Sequence, residues 1–257
     1  MFNLLAARAR QGYQAIPDLK KALVKDKFRG FPLLDESVCG GSAACADATA
    51  CAGVCPTGAL DVAPLRIDLG LCVFCGDCQR DCPAGAVQFT THHELAAGRR
   101  ESLVVRSGEM ASNWQAAALA SDRRIRRLFG RSLSLRSVSA GGCNGCEQEL
   151  NACSNANFDK GRAGISMSAS PRHADGLVLT GPISANMAAA LEDTWQAIPE
   201  PKLLILAGTC AISGGIFAGS PALDRRFLDD HRVDLFVPGC PVHPLTLING
   251  ILGLVGA

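Results

Sequence analysis

Four apolar runs in the second half of the chain each stop at a glycine: LSLRSVSAGG, ADGLVLTGP, PKLLILAGTC and VDLFVPGCP. Their lengths suit strands, and their nearly unbroken apolar character suits strands covered on both faces of a sheet. Between the second and third lies ISANMAAALEDTWQAI, which reads as a helix. Strand, helix, strand at these lengths predicts a parallel sheet with right-handed crossovers over residues 134–257.

The first half has a different texture. Residues 1–36 are mixed and basic, and Pro17-Asp18 followed by Leu19, Leu23 and Val24 predicts a short amphipathic helix. Residues 37–95 are rich in Cys, Gly, Ala and Pro and hold two similar blocks, CAGVCPTGALDV at 51–62 and CQRDCPAGAVQF at 78–89. Each runs C-x3-C-P, then Gly-Ala, then a β-type pair, so the chain contains an internal repeat. Short strands and turns with little conventional core are expected there, and a unit that small needs metals or other staples to stay folded. Residues 96–133 are arginine-rich and read as a linker plus helix, with a cap near Ser112 and a run DRRIRRLFGR.

Composition narrows the function classes. A chain of 257 residues has room for about two domains. The formal net charge of +1 gives no overall electrostatic footprint for nucleic acid. Two local excesses stand out: seven Lys/Arg against Asp18 and Asp26 in residues 1–29, and nine Arg against Glu101, Glu109 and Asp122 in residues 99–136. Each reads as a solvated face or as a dock for an acidic partner or anionic membrane surface. No window holds the 18 or more apolar residues of a spanning helix, and the N-terminus lacks a cleavage site, so a cytoplasmic location is expected. Thirteen cysteines in that compartment point to metal or catalysis rather than disulfides.

Cys72, Cys75, Cys78, Cys82 and Pro83 follow the ferredoxin run C-x2-C-x2-C-x3-C-P. Two-residue gaps let three thiolates converge on one 4Fe-4S cubane, while the fourth, past a proline turn, reaches the neighbouring cluster. By that rule Cys72, Cys75 and Cys78 with Cys55 hold one cluster, and Cys39, Cys45 and Cys51 with Cys82 hold the other. A zinc ribbon would expect two separated C-x-x-C pairs. The first block departs from the pattern, because Cys39, Cys45 and Cys51 are separated by five-residue gaps, GGSAA and ADATA. A three-iron cluster, or none, remains open at that site. Together with KFRGFPLLDESVC and PLRIDLGLC, this region resembles the ferredoxin-like subunits beside respiratory complex I and its hydrogenase relatives, over roughly residues 27–95.

The remaining cysteines sit at predicted strand ends. Cys143 and Cys146 follow LSLRSV, Cys210 ends LLILAGTC and Cys240 ends DLFVPGC. Ligands of open α/β sheets bind outside the carboxyl ends of the strands, so these four can meet at one point. Four thiolates alone do not separate a structural zinc from a third 4Fe-4S cluster; the two clusters upstream favour iron-sulfur. Flanking glycines allow backbone N–H groups to approach cluster sulfurs and tune the potential.

GGCNGCEQEL, SPRHADGLVLTGP, AGTCAISGG and PGCPVHP resemble the small, cluster-bearing subunit of membrane-anchored energy-converting nickel-iron hydrogenases and formate hydrogenlyases, over about residues 134–253. The subunit of complex I that carries its terminal cluster shares that fold. It has two adjacent cysteines at the first ligand position, whereas Cys143-Asn-Gly-Cys146 favours the hydrogenase side. The resemblance implies an α+β ferredoxin-like N-terminal domain followed by an α/β flavodoxin-like domain with a parallel sheet. It also implies a nickel-iron large subunit as partner, membrane-arm subunits, and a formate dehydrogenase or ferredoxin as donor, at the inner face of the cytoplasmic membrane. A quinone-reducing, complex I-like assembly without nickel is the alternative.

With twelve cysteines assigned, Cys153 is left over and is expected as a packed core thiol. No Gly-rich phosphate loop is present. His243 and Glu149 are candidates for second roles near the third cluster, with surface or structural roles equally open. The expected function is therefore electron conduction, with no catalytic residue on this chain.

Overall fold

The computed structural model describes residues 2–12, 14–39, 48–119, 123–129 and 132–256. Three sheets organise them. Strands β1 (Pro32–Leu34) and β4 (Val87–Phe89) pair antiparallel, and β2 (Leu60–Val62), β3 (Leu65–Asp68) and β5 (Val104–Arg106) form a second antiparallel sheet in the order β2-β3-β5. The third sheet takes β6 (Leu133–Ser139), β7 (Ile165–Met167), β8 (Gly176–Thr180), β9 (Leu203–Ala207) and β10 (Leu235–Val237) in the order β10-β9-β8-β6-β7, parallel throughout.

All five residues of β8 and all five of β9 are buried, which is what their uninterrupted apolar runs require at the centre of a sheet covered on both faces. The helix Ala185–Ala197 covers the sheet with Leu191 and Trp195. The helix Pro244–Val255 is buried almost all round, so it is covered on more than its sheet-facing side. Its far side meets the N-terminal half: Thr246 Oγ1 donates to the His93 carbonyl at 2.7 Å and Asn249 Nδ2 to the Leu19 carbonyl at 2.9 Å.

The sequence repeat is also a structural repeat. In each block a short helix, Ala48–Gly53 or Asp77–Arg80, leads to the C-P turn. The turn closes through a left-handed glycine, Gly58 (φ 64) or Gly85 (φ 67), which only glycine adopts without strain. The next residue's N–H then donates to the cysteine sulfur four positions back: Ala59 to Cys55 Sγ at 3.2 Å and Ala86 to Cys82 Sγ at 3.3 Å. Strand β2 or β4 follows directly.

Three segments differ from the sequence expectation. The N-terminal helix lies at Phe2–Gln11, and residues 17–24 are turns and irregular chain. Tertiary bonds there replace a helical ladder, since Ile16 N–H donates to the Asn157 carbonyl and the Leu19 carbonyl serves Asn249. Residues 96–133 hold β5 in addition to the helices Ala111–Ala118 and Arg123–Phe129. Arg100 grips Asp68 with two bonds of 2.8 and 2.7 Å, and Ala97 exchanges backbone bonds of 2.9 and 2.8 Å with Phe236 of β10. The stretch expected as a linker thus joins both halves. Strand β7 was absent from the expected pattern: it is three residues long, at a sheet edge, and two of the three are exposed.

Candidate functional site

The parallel direction of the third sheet brings the ends of β6, β9 and β10 to one edge, and each end continues into cysteine: Cys143 and Cys146 after β6, Cys210 after β9, Cys240 after β10. Their thiols lie close enough to feel one another electrostatically, Cys146 with Cys210 and Cys240, and Cys143 with both Cys210 and Cys240. Burial pushes the Cys146 thiol up to about 12 and Cys210 to about 11, with the neighbouring sulfurs adding to the rise. Bare, Cys146 and Cys210 are neutral thiols at pH 7. A bound cationic centre is what converts such groups to thiolates, releasing protons as it binds.

The backbone is shaped around the sulfurs. Gly208 has φ +95, and a Cβ there would stand 2.5 Å from Cys146 Sγ. Glycine is required for that approach. The Val242 N–H donates to the Cys146 sulfur. Beside it, Glu147 accepts a 2.6 Å bond from Thr180 Oγ1; burial raises its carboxyl, but bonds from Ser139 and Thr180 outweigh that and hold it below the usual range. Arg225 donates to the carbonyls of Pro182, Cys210, Ala211 and Ile212, so a half-buried guanidinium faces the Cys210 turn. Cys143 and Cys240 are exposed, which leaves this edge open to a partner.

The second set also converges, and it does so across the repeat. Cys55, Cys72, Cys75 and Cys78 line one hollow, walled by Leu60 and Ile67. Burial pushes Cys72 up to about 12 and Cys78 to about 11, with Cys55 and Cys75 raising both further. Phe74 N–H donates to Cys72 Sγ at 3.3 Å. Of the remaining set, Cys45 lies outside the described residues, while Cys39, Cys51 and Cys82 are each half-buried against the same apolar core.

Both convergent sets fit iron-sulfur clusters in donor chemistry: four sulfurs, backbone N–H donors to sulfur, and apolar or glycine walls. Among the described residues no three His, Cys, Asp or Glu side chains are placed to hold one metal ion. Four thiolates of this kind also suit a tetrahedral zinc, so donor chemistry alone does not choose between the two. A cubane carries its thiolates on four separate irons.

Of the other candidates, Cys153 and His243 have structural roles. Cys153 is fully buried and donates to the Glu149 carbonyl at 3.2 Å, as a packed core thiol does. His243 caps the helix Pro244–Val255 by accepting from Leu245 N–H at 3.2 Å, and burial holds its imidazole down at about 4, so it is neutral. Glu149 lines a cavity of about 240 Å³ between Phe74 and Cys240, and burial raises its carboxyl. Gly208 is one of the flanking glycines expected from the sequence, whereas sequence reasoning missed Arg225 and the Val242 N–H, which act only through tertiary contacts.

A parallel α/β sheet with four cysteines gathered at its carboxyl edge defines the class of the second half. Residues 143–254 match the family of the NADH ubiquinone oxidoreductase 20 kDa subunit, and the chain belongs to that family. It is similar to a probable membrane-bound hydrogenase subunit, mbhJ, of Pyrococcus furiosus, with 35% identity across 51% of this chain and 80% of that protein. Formate hydrogenlyase subunit 7 of Escherichia coli is 39% identical across 49% of each chain. An NADH-quinone oxidoreductase subunit of Desulfovibrio desulfuricans is 39% identical across 49% of this chain and 68% of that one.

Proposed function

We propose that this chain is the electron-relay subunit of a membrane-attached oxidoreductase complex, joining a two-cluster ferredoxin-like half to a terminal-cluster half. The observation that carries the reading is the gathering of Cys143, Cys146, Cys210 and Cys240 at one sheet edge, packed against the half that gathers Cys55, Cys72, Cys75 and Cys78. A 4Fe-4S cluster, when bound, takes up and gives up one electron at a time. The chain's own residues hold the sulfurs, bury them and donate N–H groups to them, and its half-buried Arg225 places positive charge beside the terminal set.

Cys39, Cys45, Cys51 and Cys82 hold the outermost cluster in this scheme. The exposed edge at Cys143 and Cys240 faces a nickel-iron large subunit, with electrons arriving from a formate dehydrogenase or ferredoxin donor. Membership of relatives in membrane-bound hydrogenase and formate hydrogenlyase supports this partner class. No helix among the described residues is long and apolar enough to cross a membrane. Attachment to the cytoplasmic membrane's inner face runs through membrane-arm partners in this scheme. A second reading, a quinone-reducing complex without nickel, is supported by the likeness to the NADH-quinone oxidoreductase subunit of Desulfovibrio desulfuricans.

Purifying the complex anaerobically through a tag on this chain and measuring nickel on the co-purifying large subunit separates the two. Stoichiometric nickel is the expected result; a large subunit that reduces quinone and carries none would transfer the assignment to the second reading.

A further inference from the structure

The two convergent cysteine sets meet at one buried hydroxyl. Thr209 is 0% exposed and immediately precedes Cys210. Its Oγ1 lies 2.7 Å from the carbonyl of Cys72, 137 positions away, and 3.2 Å from the carbonyl of Gly239, which precedes Cys240. A hydroxyl has one proton to donate. The Gly239 carbonyl already accepts the Thr209 N–H at 2.9 Å, so the hydroxyl proton belongs to Cys72. Burying a hydroxyl without a partner is costly, and the bond to the Cys72 carbonyl offsets that cost here. The hydroxyl therefore answers to Cys72.

We propose that Thr209 is the positioning residue for electron transfer between the second cysteine set and the terminal set. The covalent route from Cys72 Sγ runs through its carbonyl, across the hydroxyl of Thr209 and along the backbone to Cys210 Sγ, with a single hydrogen bond as its only non-covalent step. One electron crosses with no proton transferred: the centre at Cys72 is oxidised by one unit, the centre at Cys210 is reduced by one, and a low-potential one-electron donor re-reduces the first. The inference rests on the relay reading above and assigns the route within it.

The test uses the anaerobically purified complex and the variants Thr209→Val, Thr209→Ser and Thr209→Ala, reduced by a flash from a photosensitiser. Time-resolved paramagnetic resonance follows the transfer between the two centres, and equilibrium titration gives their potentials. Amide hydrogen exchange at residues 72–75 and 239–242 reports the docking of the loops. Thr209→Val is expected to keep its iron, its two potentials and slow exchange, while transfer slows several-fold. Thr209→Ser, which restores the hydroxyl, is expected to recover the rate. Should valine disturb the fold, serine against alanine decides: a normal rate in serine and a slow one in alanine supports the route. Equal rates in the valine and wild-type complexes, or equally slowed rates in serine and alanine, would overturn it. A wild-type complex lacking a paramagnetic centre at either cysteine set would defeat the relay reading itself, and the Thr209 route with it.

Discussion

Replacing Cys55 with serine removes about four irons per chain, and the signal lost is the same one that Cys75→Ser abolishes. Along the chain Cys55 is four residues from Cys51 and seventeen from Cys72, so proximity in sequence would put it with Cys51. The fold sends it the other way. The Ala59 N–H fixes Cys55 Sγ after the left-handed turn at Gly58, and the sulfur then shares a hollow with Cys72, Cys75 and Cys78. Cys55 is the strongest charge acting on the Cys78 thiol, ahead of Cys75. The mirror turn at Gly85 fixes Cys82 in the same manner through the Ala86 N–H. Cys82→Ser should therefore deplete a different signal from Cys55→Ser. Iron and sulfide content with paramagnetic resonance of the three variants checks this, and loss of a common signal in Cys55→Ser and Cys82→Ser, with Cys75→Ser distinct, would refute the crossed pairing.

Gly208→Ala is expected to empty the terminal set. Two costs add at this position. The backbone at φ 95, ψ 152 lies in a region essentially reserved for glycine and costs a side-chain residue about 1–3 kcal/mol. Beyond that, the new methyl would stand 2.5 Å from Cys146 Sγ, inside any real contact distance, on a segment that Gly208 N–H ties to the Val237 carbonyl at 2.8 Å. The sulfur must leave the position it shares with Cys210 and Cys240. Gly219→Ala is the control, having a similar φ of +81 with nothing within 4 Å of the added carbon. It should lose only the backbone contribution in thermal unfolding and keep its terminal signal. Equal loss of signal in both variants would mean that backbone strain, rather than crowding of Cys146, governs the site.

The terminal set was legible because its grammar is long-range but regular. Apolar runs that end in glycine fix strands, parallel strands share a carboxyl edge, and Cys210 and Cys240 fall on that edge whatever separates them in sequence. The repeat C-x3-C-P-x-G-A was legible for a local reason, since the turn and its N–H-to-sulfur bond lie within five residues. Other features lack such a signature. Leu19, Leu23 and Val24 have helical spacing, yet Leu19 is buried, Leu23 is exposed, and the Leu19 carbonyl is taken by Asn249 of the C-terminal half. Val104–Arg106 is concealed among arginines, because its partner β3 lies nearly forty residues upstream and only Val105 is fully buried. The Thr209–Cys72 bond has no trace in either local sequence. Residues 40–47, Cys45 among them, fall outside the described residues, so the widened first site rests on its spacing and on the half-buried Cys39, Cys51 and Cys82.

The central claim is that three groups of thiols on one chain each hold an iron-sulfur cubane. Iron, acid-labile sulfide and zinc per chain in the anaerobically purified complex, corrected for iron on co-purifying subunits, test it most directly. The account predicts about twelve irons and about twelve sulfides per chain with no zinc. Stoichiometric zinc accompanied by a deficit of about four irons and four sulfides would contradict it.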